Sequence, residues 1–325
     1  MRKELASVLL KLLPLISFAV PLAMLYCLEP ASFEATWKGR TYHLFFAWLI
    51  LLETILNWES LQPLLKLKTV RFVAFAIALS LPTTYVVLTN YYGFNAVTLD
   101  LSRKTSIPWA DQMALSYEYL VFTVFLVAIV LLEYGMRNLG NFAISTLFSG
   151  TIGAIYTIDN LYPFGRFAPF QLIVPTTTML AANVLSLVGY STTLGSITNP
   201  TYGSMPYLAI RDSLGRSTGF GVAWPCSGVE SLLIYTVTIL LFLKNSAIPW
   251  VHRIVYFTVG AVVTYGINVM RIVTIFLISI NTGGGNTLPT QEFHNYYGQL
   301  YSIIWIISYP LLIIVIQLLR NRIRI

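Results

Sequence analysis

The sequence predicts an all-α membrane protein: a polytopic transmembrane helical bundle of about eight or nine spans, with a small extracytoplasmic hairpin or loop before the cysteine-bearing helix. Three observations predict it. Hydrophobic residues make up 56% of the 325 residues and charged residues only 10%, whereas a soluble domain carries about a quarter charged residues. Apolar runs of about 20 residues recur from end to end, each long enough to cross a bilayer as a helix. The runs are continuous rather than alternating, so of the two structures that satisfy every backbone group in lipid, helices win over a closed barrel.

In chain order, the candidate spans are Val8–Leu28, Tyr42–Trp58, Val70–Tyr91, Leu115–Gly135, Phe142–Leu161, Pro169–Gly189, Gly228–Leu243, Ile254–Ile280 and Gln299–Leu319. Lys11 and two prolines interrupt the first run, and no small-x-small cleavage site follows, so it reads as a span rather than a removable signal peptide. Cys27, in the same run, reads as a small buried apolar residue. An oxidising compartment would also permit a disulfide from it to Cys226, the other cysteine. Glu53, Glu118 and Glu133 read as pairing groups at span ends or in the interior. Two connections are long, Gly93–Ala114 and Tyr190–Pro225. In the second, Tyr207-Leu208-Ala209-Ile210-Arg211 followed by Asp212-Ser213-Leu214-Gly215 reads as a small hairpin on the membrane surface. Gly283-Gly284-Gly285 reads as a flexible outer loop or lid. There is no internal repeat.

The net charge of +7 is no nucleic-acid signal, because the basic residues cluster at span ends. They are Arg2 and Lys3, Lys66, Lys68 and Arg71, Lys244 and Arg253, and Arg320, Arg322 and Arg324. Cytoplasmic loops and tails carry such an excess. The C-terminal tail and the Lys244–Arg253 loop are therefore assigned to the cytoplasm, which places Cys226 and the Asn281–Tyr297 connection outside. The N-terminal clusters favour a cytoplasmic N-terminus, yet nine spans ending inside would put it outside. The orientation of that half stays open.

The chemistry-bearing residues gather on the outer side. Cys226 lies in Trp224-Pro225-Cys226-Ser227-Gly228-Val229-Glu230, where Pro225 is expected to open a helix whose N-terminus favours a thiolate. Arg271 is 17 residues beyond Ile254, or roughly 25 Å along a helix, which brings it to the same level. A charge inside a span usually faces the protein interior and marks function. Asn268 and Thr264 share its helix face. His294 precedes the last span. A thiol, an imidazole and a guanidinium at one depth fit nucleophile, general base and oxyanion partner. Ser227 would add a hydroxyl, Gly228 would allow a close backbone approach, and Glu230 would orient Arg271 or His294. Thr264 reads as a hydroxyl bonded to its own helix.

Cys226-Ser227-Gly228 at the head of a span, Asn268-Val269-Met270-Arg271 near the outer end of the next and His294 before the last resemble the exosortase/archaeosortase family. Ile158-Asp159-Asn160-Leu161, Pro163-Phe164-Gly165 and Trp224-Pro225-Cys226 look closest to its archaeal branch. The resemblance covers about Pro169 to Tyr309. It implies a single integral membrane domain over 1–325, in which 1–168 supplies N-terminal spans and 169–319 the catalytic core. The activity implied is that of a membrane-embedded cysteine protease and transpeptidase in the cell membrane. Its substrates would be secreted proteins ending in a short motif, a transmembrane helix and a basic cluster, and a membrane lipid or cell-surface group would accept the new C-terminus. Cys226, Arg271 and His294 would be the catalytic residues by position. No cofactor, metal or nucleic acid is expected, since the three histidines show no helical pairing and no second cysteine lies nearby. The rival readings are a transporter or a lipid-modifying transferase that uses Arg271 and His294 on an anionic group.

Overall fold

The computed structural model describes residues 2–35, 38–62, 70–162, 168–199, 203–244, 246 and 248–323. The expected cations Lys66, Lys68 and Arg324, and the segment Pro163-Phe164-Gly165, lie outside them. The chain forms two compact units, Met1–Tyr162 and Pro163–Ile325.

The first unit holds α1 (Arg2–Leu28), α2 (Thr41–Leu56), α3 (Val70–Tyr91), α4 (Phe94–Lys104), α5 (Met113–Tyr134) and α6 (Ala143–Leu161). Pro14 and Pro21 sit inside α1 without ending it, and Ser17 Oγ donates to the Pro14 carbonyl at 2.7 Å. The core is aromatic: Phe18 meets Phe46 and Phe122 edge-on at 5.1 and 5.4 Å. Two of the three acids pair as the sequence suggests. Glu118 binds Arg40 and His43. Glu53 accepts the Ile144 and Ser145 amides at 3.1 and 2.9 Å, so a carboxylate from α2 caps the first turn of α6. Glu133 is buried, with no hydrogen-bond partner for its carboxylate among the described residues. Cys27 departs from expectation. Its thiol is free and exposed, since the end of α1 presents it outward, and Cys226 is free as well.

The second unit holds α7 (Ala168–Leu187), a sheet, α8 (Val229–Lys244), α9 (Trp250–Asn281), the short α10 (Leu288–Glu292) and α11 (Gly298–Ile323). Tyr235, Ile239, Leu243, Ile306, Tyr309 and Ile313 form its apolar core between α8 and α11. Gly260 of α9 admits the Tyr235 ring, whose hydroxyl would lie 2.1 Å from any Cβ placed there. That hydroxyl donates to the Phe257 carbonyl at 2.8 Å.

The described chain is mostly helical, and the expected hairpin is extended by one strand into a sheet: β1 (Ser191–Asn199), β2 (Gly203–Arg211) and β3 (Ser217–Gly221), antiparallel in that order. The expected hairpin is its second half. Asp212 makes the turn, accepting the Leu214 and Arg216 amides at 3.0 and 2.8 Å, and Gly215 takes a φ of +82°. Leu208 and Ile210 are buried, opposite Phe220 and Thr218, and Phe220 meets Phe276 of α9 edge-on at 5.2 Å. β1 went unread because Ser-Thr-Thr-Leu-Gly-Ser carries no apolar alternation.

Among the described residues, six helices are long and apolar enough to cross a membrane: Val8–Leu28, Val70–Tyr91, Ala110–Tyr134, Met136–Leu161, Trp250–Asn281 and Leu300–Gln317. Thr41–Leu56 and Leu172–Leu187 are shorter apolar helices, and α8 has 16 residues. The chain is thus a multi-pass helical membrane protein. Within the second unit, α8 runs from the Cys226 end to Lys244, and α9 returns from Arg253 to Asn281. Lys244 and Arg253 therefore lie at the end away from Cys226.

Candidate active site

Cys226 sits in a tight turn of 3-10 type, Trp224–Ser227, entered through Pro225. Gly228 follows at a φ of +96°, a conformation that favours glycine, and α8 begins only at Val229. The cysteine therefore precedes the helix by a turn instead of occupying its first residues. Ser227 serves the turn: its buried hydroxyl donates to the Trp224 carbonyl at 2.5 Å. Gly228 makes room for a side chain, since a Cβ there would lie 2.9 Å from Asn268 Nδ2.

His294 lies in a π-helical turn, Phe293–Tyr297, between α10 and α11. Such turns insert an extra residue and often mark functional sites. This one directs the half-buried imidazole at the cysteine, with Nε2 3.6 Å from Cys226 Sγ. That is within hydrogen-bond range for sulfur. Arg271, on α9, donates from Nη2 to the His294 carbonyl at 2.8 Å. Among the described residues its buried Nε has no hydrogen-bond partner and its guanidinium forms no ion pair. One turn earlier on α9, Asn268 Nδ2 donates to the Cys226 carbonyl at 3.1 Å. All three residues expected at the site are thus together, and Asn268 and Gly228 are in contact with them.

Burial pushes the Cys226 thiol above its ordinary value of 9.0, the Arg271 charge pulls it down, and the Glu230 carboxylate pushes it up, with a net rise. The net direction is therefore toward the thiol, the opposite of the thiolate expected at a helix N-terminus. Glu230 occupies the first turn of α8 and acts on the site through that charge. Thr264 is buried and donates to the Gly260 carbonyl at 2.7 Å, as expected, and it also accepts from Trp305 Nε1 at 3.1 Å. No cluster of three metal-ligating side chains occurs among the described residues.

The triple glycine is tied down, contrary to the lid reading. Gly283, Gly284 and Gly285 all have positive φ. Gly285 N donates to Thr218 Oγ1 at 3.1 Å, Ser279 Oγ donates to the Gly285 carbonyl at 2.7 Å, and Thr218 and Ser279 share a buried hydrogen bond. Left-handed glycines here fasten the end of α9 to β3.

Two features escaped the sequence reading. Gly298, the first residue of α11, faces Arg271: a Cβ at 298 would lie 2.9 Å from Arg271 Nε and 3.0 Å from its Cγ. Thr177 of α7 shares a 2.7 Å hydrogen bond with Tyr265 of α9. A glycine between a π turn and a helix carries no apolar period, so only the fold exposes its role.

No curated protein and no solved structure matches the chain. The family model described as transmembrane exosortase matches residues 37–312. That match spans most of the chain and includes Cys226, Asn268, Arg271 and His294, so the chain belongs to the transmembrane exosortase family.

Proposed function

We propose that this protein is a membrane-embedded cysteine peptidase and transpeptidase of protein sorting. It cleaves secreted proteins that end in a short motif, a transmembrane helix and a basic cluster, and passes the new C-terminus to a lipid or cell-surface acceptor. The observation that carries the reading is the 3.6 Å contact between Cys226 Sγ and His294 Nε2. Thiol and imidazole come from residues 68 apart in sequence, and a transporter has no need of that contact.

The chemistry follows from the geometry. His294 Nε2 takes the thiol proton, and the sulfur attacks the scissile carbonyl carbon. The electron pair moves to the carbonyl oxygen, whose charge the Arg271 guanidinium would stabilise. Collapse of the tetrahedral intermediate breaks the C–N bond. The proton on His294 goes to the leaving amine, and a thioester remains on Cys226. A hydroxyl or amine acceptor then gives its proton to His294, attacks the thioester carbon and releases the thiolate. That thiolate recovers the proton from His294.

The cations Lys244 and Arg253 at the opposite end of α8 and α9 support an extracytoplasmic active site. A substrate helix lying beside the spans would present its outer flank at that level, and its remote binding energy would position the scissile bond. The test is processing of such a protein in cells carrying Cys226→Ala or Cys226→Ser. Unprocessed substrate accumulates in both, and intact processing in Cys226→Ala overturns the assignment.

A further inference from the structure

Asn268 and Arg271 stand three residues apart on α9, and each donates to a main-chain carbonyl of a residue that carries chemistry. Asn268 holds the carbonyl of Cys226 at 3.1 Å and Arg271 that of His294 at 2.8 Å. The two held residues belong to irregular turns, one ahead of α8 and one ahead of α11. Neither turn has the α-helical hydrogen-bond pattern. Each donor also lies against a glycine. A Cβ on Gly228 would lie 2.9, 3.0 and 3.1 Å from Asn268 Nδ2, Cγ and Cβ. A Cβ on Gly298 would lie 2.9 Å from Arg271 Nε, 3.0 Å from Arg271 Cγ and 2.9 Å from the Phe293 carbonyl oxygen. Non-bonded carbons prefer about 3.5–4.0 Å, so a methyl group at either position forces the donor away from its carbonyl.

We propose that Asn268 and Gly298 are positioning residues: with Arg271 and Gly228 they form a two-pronged clamp by which α9 grips the backbones of Cys226 and His294 and sets the thiol-to-imidazole distance. This rests on the thiol chemistry proposed above. In the clamp, Nη2 of Arg271 has a mechanical task. Gly298 acts through Arg271, since it provides the flat surface on which the guanidinium lies one turn from the imidazole. The charged and titratable groups that face the thiol are His294, Arg271 and Glu230, and the clamp sets the placement of the first two.

The experiment uses the full-length protein in membranes, in a Cys27→Ser background because the Cys27 thiol is exposed. Asn268→Ala, Gly298→Ala and Gly266→Ala are compared. Gly266, on the same helix as Asn268, has open space where a Cβ would go, which makes it the matched control. Substrate processing and the pH dependence of Cys226 alkylation by iodoacetamide are read on the folded fraction. Displacing reacting groups by about 1 Å costs on the order of a hundredfold. Processing is expected to fall by about that much in Asn268→Ala and Gly298→Ala, and their alkylation profiles to move to higher pH as the base drifts from the thiol. Gly266→Ala behaves as the parent. Parental processing in the first two variants overturns the clamp, as does lost processing with an unmoved alkylation profile, which marks a structural role alone. Either result leaves the protease reading standing, because that reading fails only with intact processing in Cys226→Ala.

Discussion

Each half of the chain sets an arginine beside a histidine, buried in the first and half-buried in the second, and the two sets are completed differently. In the first unit, Arg40 grips both oxygens of Glu118 at 2.8 and 3.0 Å and also reaches Glu29 and Ser32. His43 is fully buried, stacks on Tyr119 at 3.9 Å between ring centres and binds the same carboxylate at 2.8 Å. Nearby, Lys38 pairs with Asp159 and Asn160 and lies over the Trp109 ring. In the second unit, Arg271 has no carboxylate partner among the described residues and one buried N–H without an acceptor, and His294 faces a thiol. Buried polar groups are normally satisfied. Each set leaves one buried nitrogen unanswered among the described residues, His43 Nδ1 in the first and Arg271 Nε in the second; what separates them is that carboxylates answer the arginine of the first, whereas the histidine of the second faces a thiol.

The widest test of that contrast sets His294→Ala against Glu118→Ala. Loss of a general base lowers processing by about 10²–10⁴-fold, and His294→Ala is expected to show this with its thermal unfolding unchanged. Glu118→Ala strands Arg40 without its main partner. Breaking a buried pair costs about 3–5 kcal/mol, so this variant is expected to unfold at a clearly lower temperature in detergent, with the Cys226 alkylation profile kept on the folded fraction. Reversal of the two phenotypes would break the comparison.

A smaller effect sharpens it through charge. Arg271 lowers and Glu230 raises the Cys226 thiol. Arg271→Gln therefore decreases the thiolate fraction at pH 7 and slows alkylation, and Glu230→Gln increases that fraction and speeds it. Equal rates in the two variants would mean that neither charge reaches the sulfur.

The smallest effect is on the scaffold side. Burial lowers Lys38 from 10.5 to about 8, against the opposing pull of Asp159. Between those values the unfolded chain binds more protons than the folded one, so this lysine makes stability rise with pH across the window. Unfolding midpoints measured from pH 8 to 10 are expected to lose that upward slope in Lys38→Met.

The sequence made the apolar helices legible because lipid leaves the backbone few choices, and the candidate site residues were legible for the same reason. Cys226, Arg271 and His294 stood out because polar groups are costly in so apolar a chain. What escaped was non-local. Arg40 and Glu118 are 78 residues apart, and nothing in either segment names the other. Gly298 has meaning only once Arg271 lies against it. The left-handed glycines at 283–285 read as freedom, although Thr218, more than sixty residues away, holds them. Asp212 and Gly215 announced their turn because turn chemistry is local, while β1, built of serine, threonine and glycine, pairs with β2 without any apolar pattern to announce it.

The most direct measurement is mass spectrometry of the protein quenched in acid during turnover of a substrate bearing the C-terminal helix. The account predicts an acyl adduct on the Cys226 peptide, released by neutral hydroxylamine as a thioester must be, and absent from Cys226→Ala. Steady processing with Cys226 unmodified, or an adduct on another residue, would contradict it.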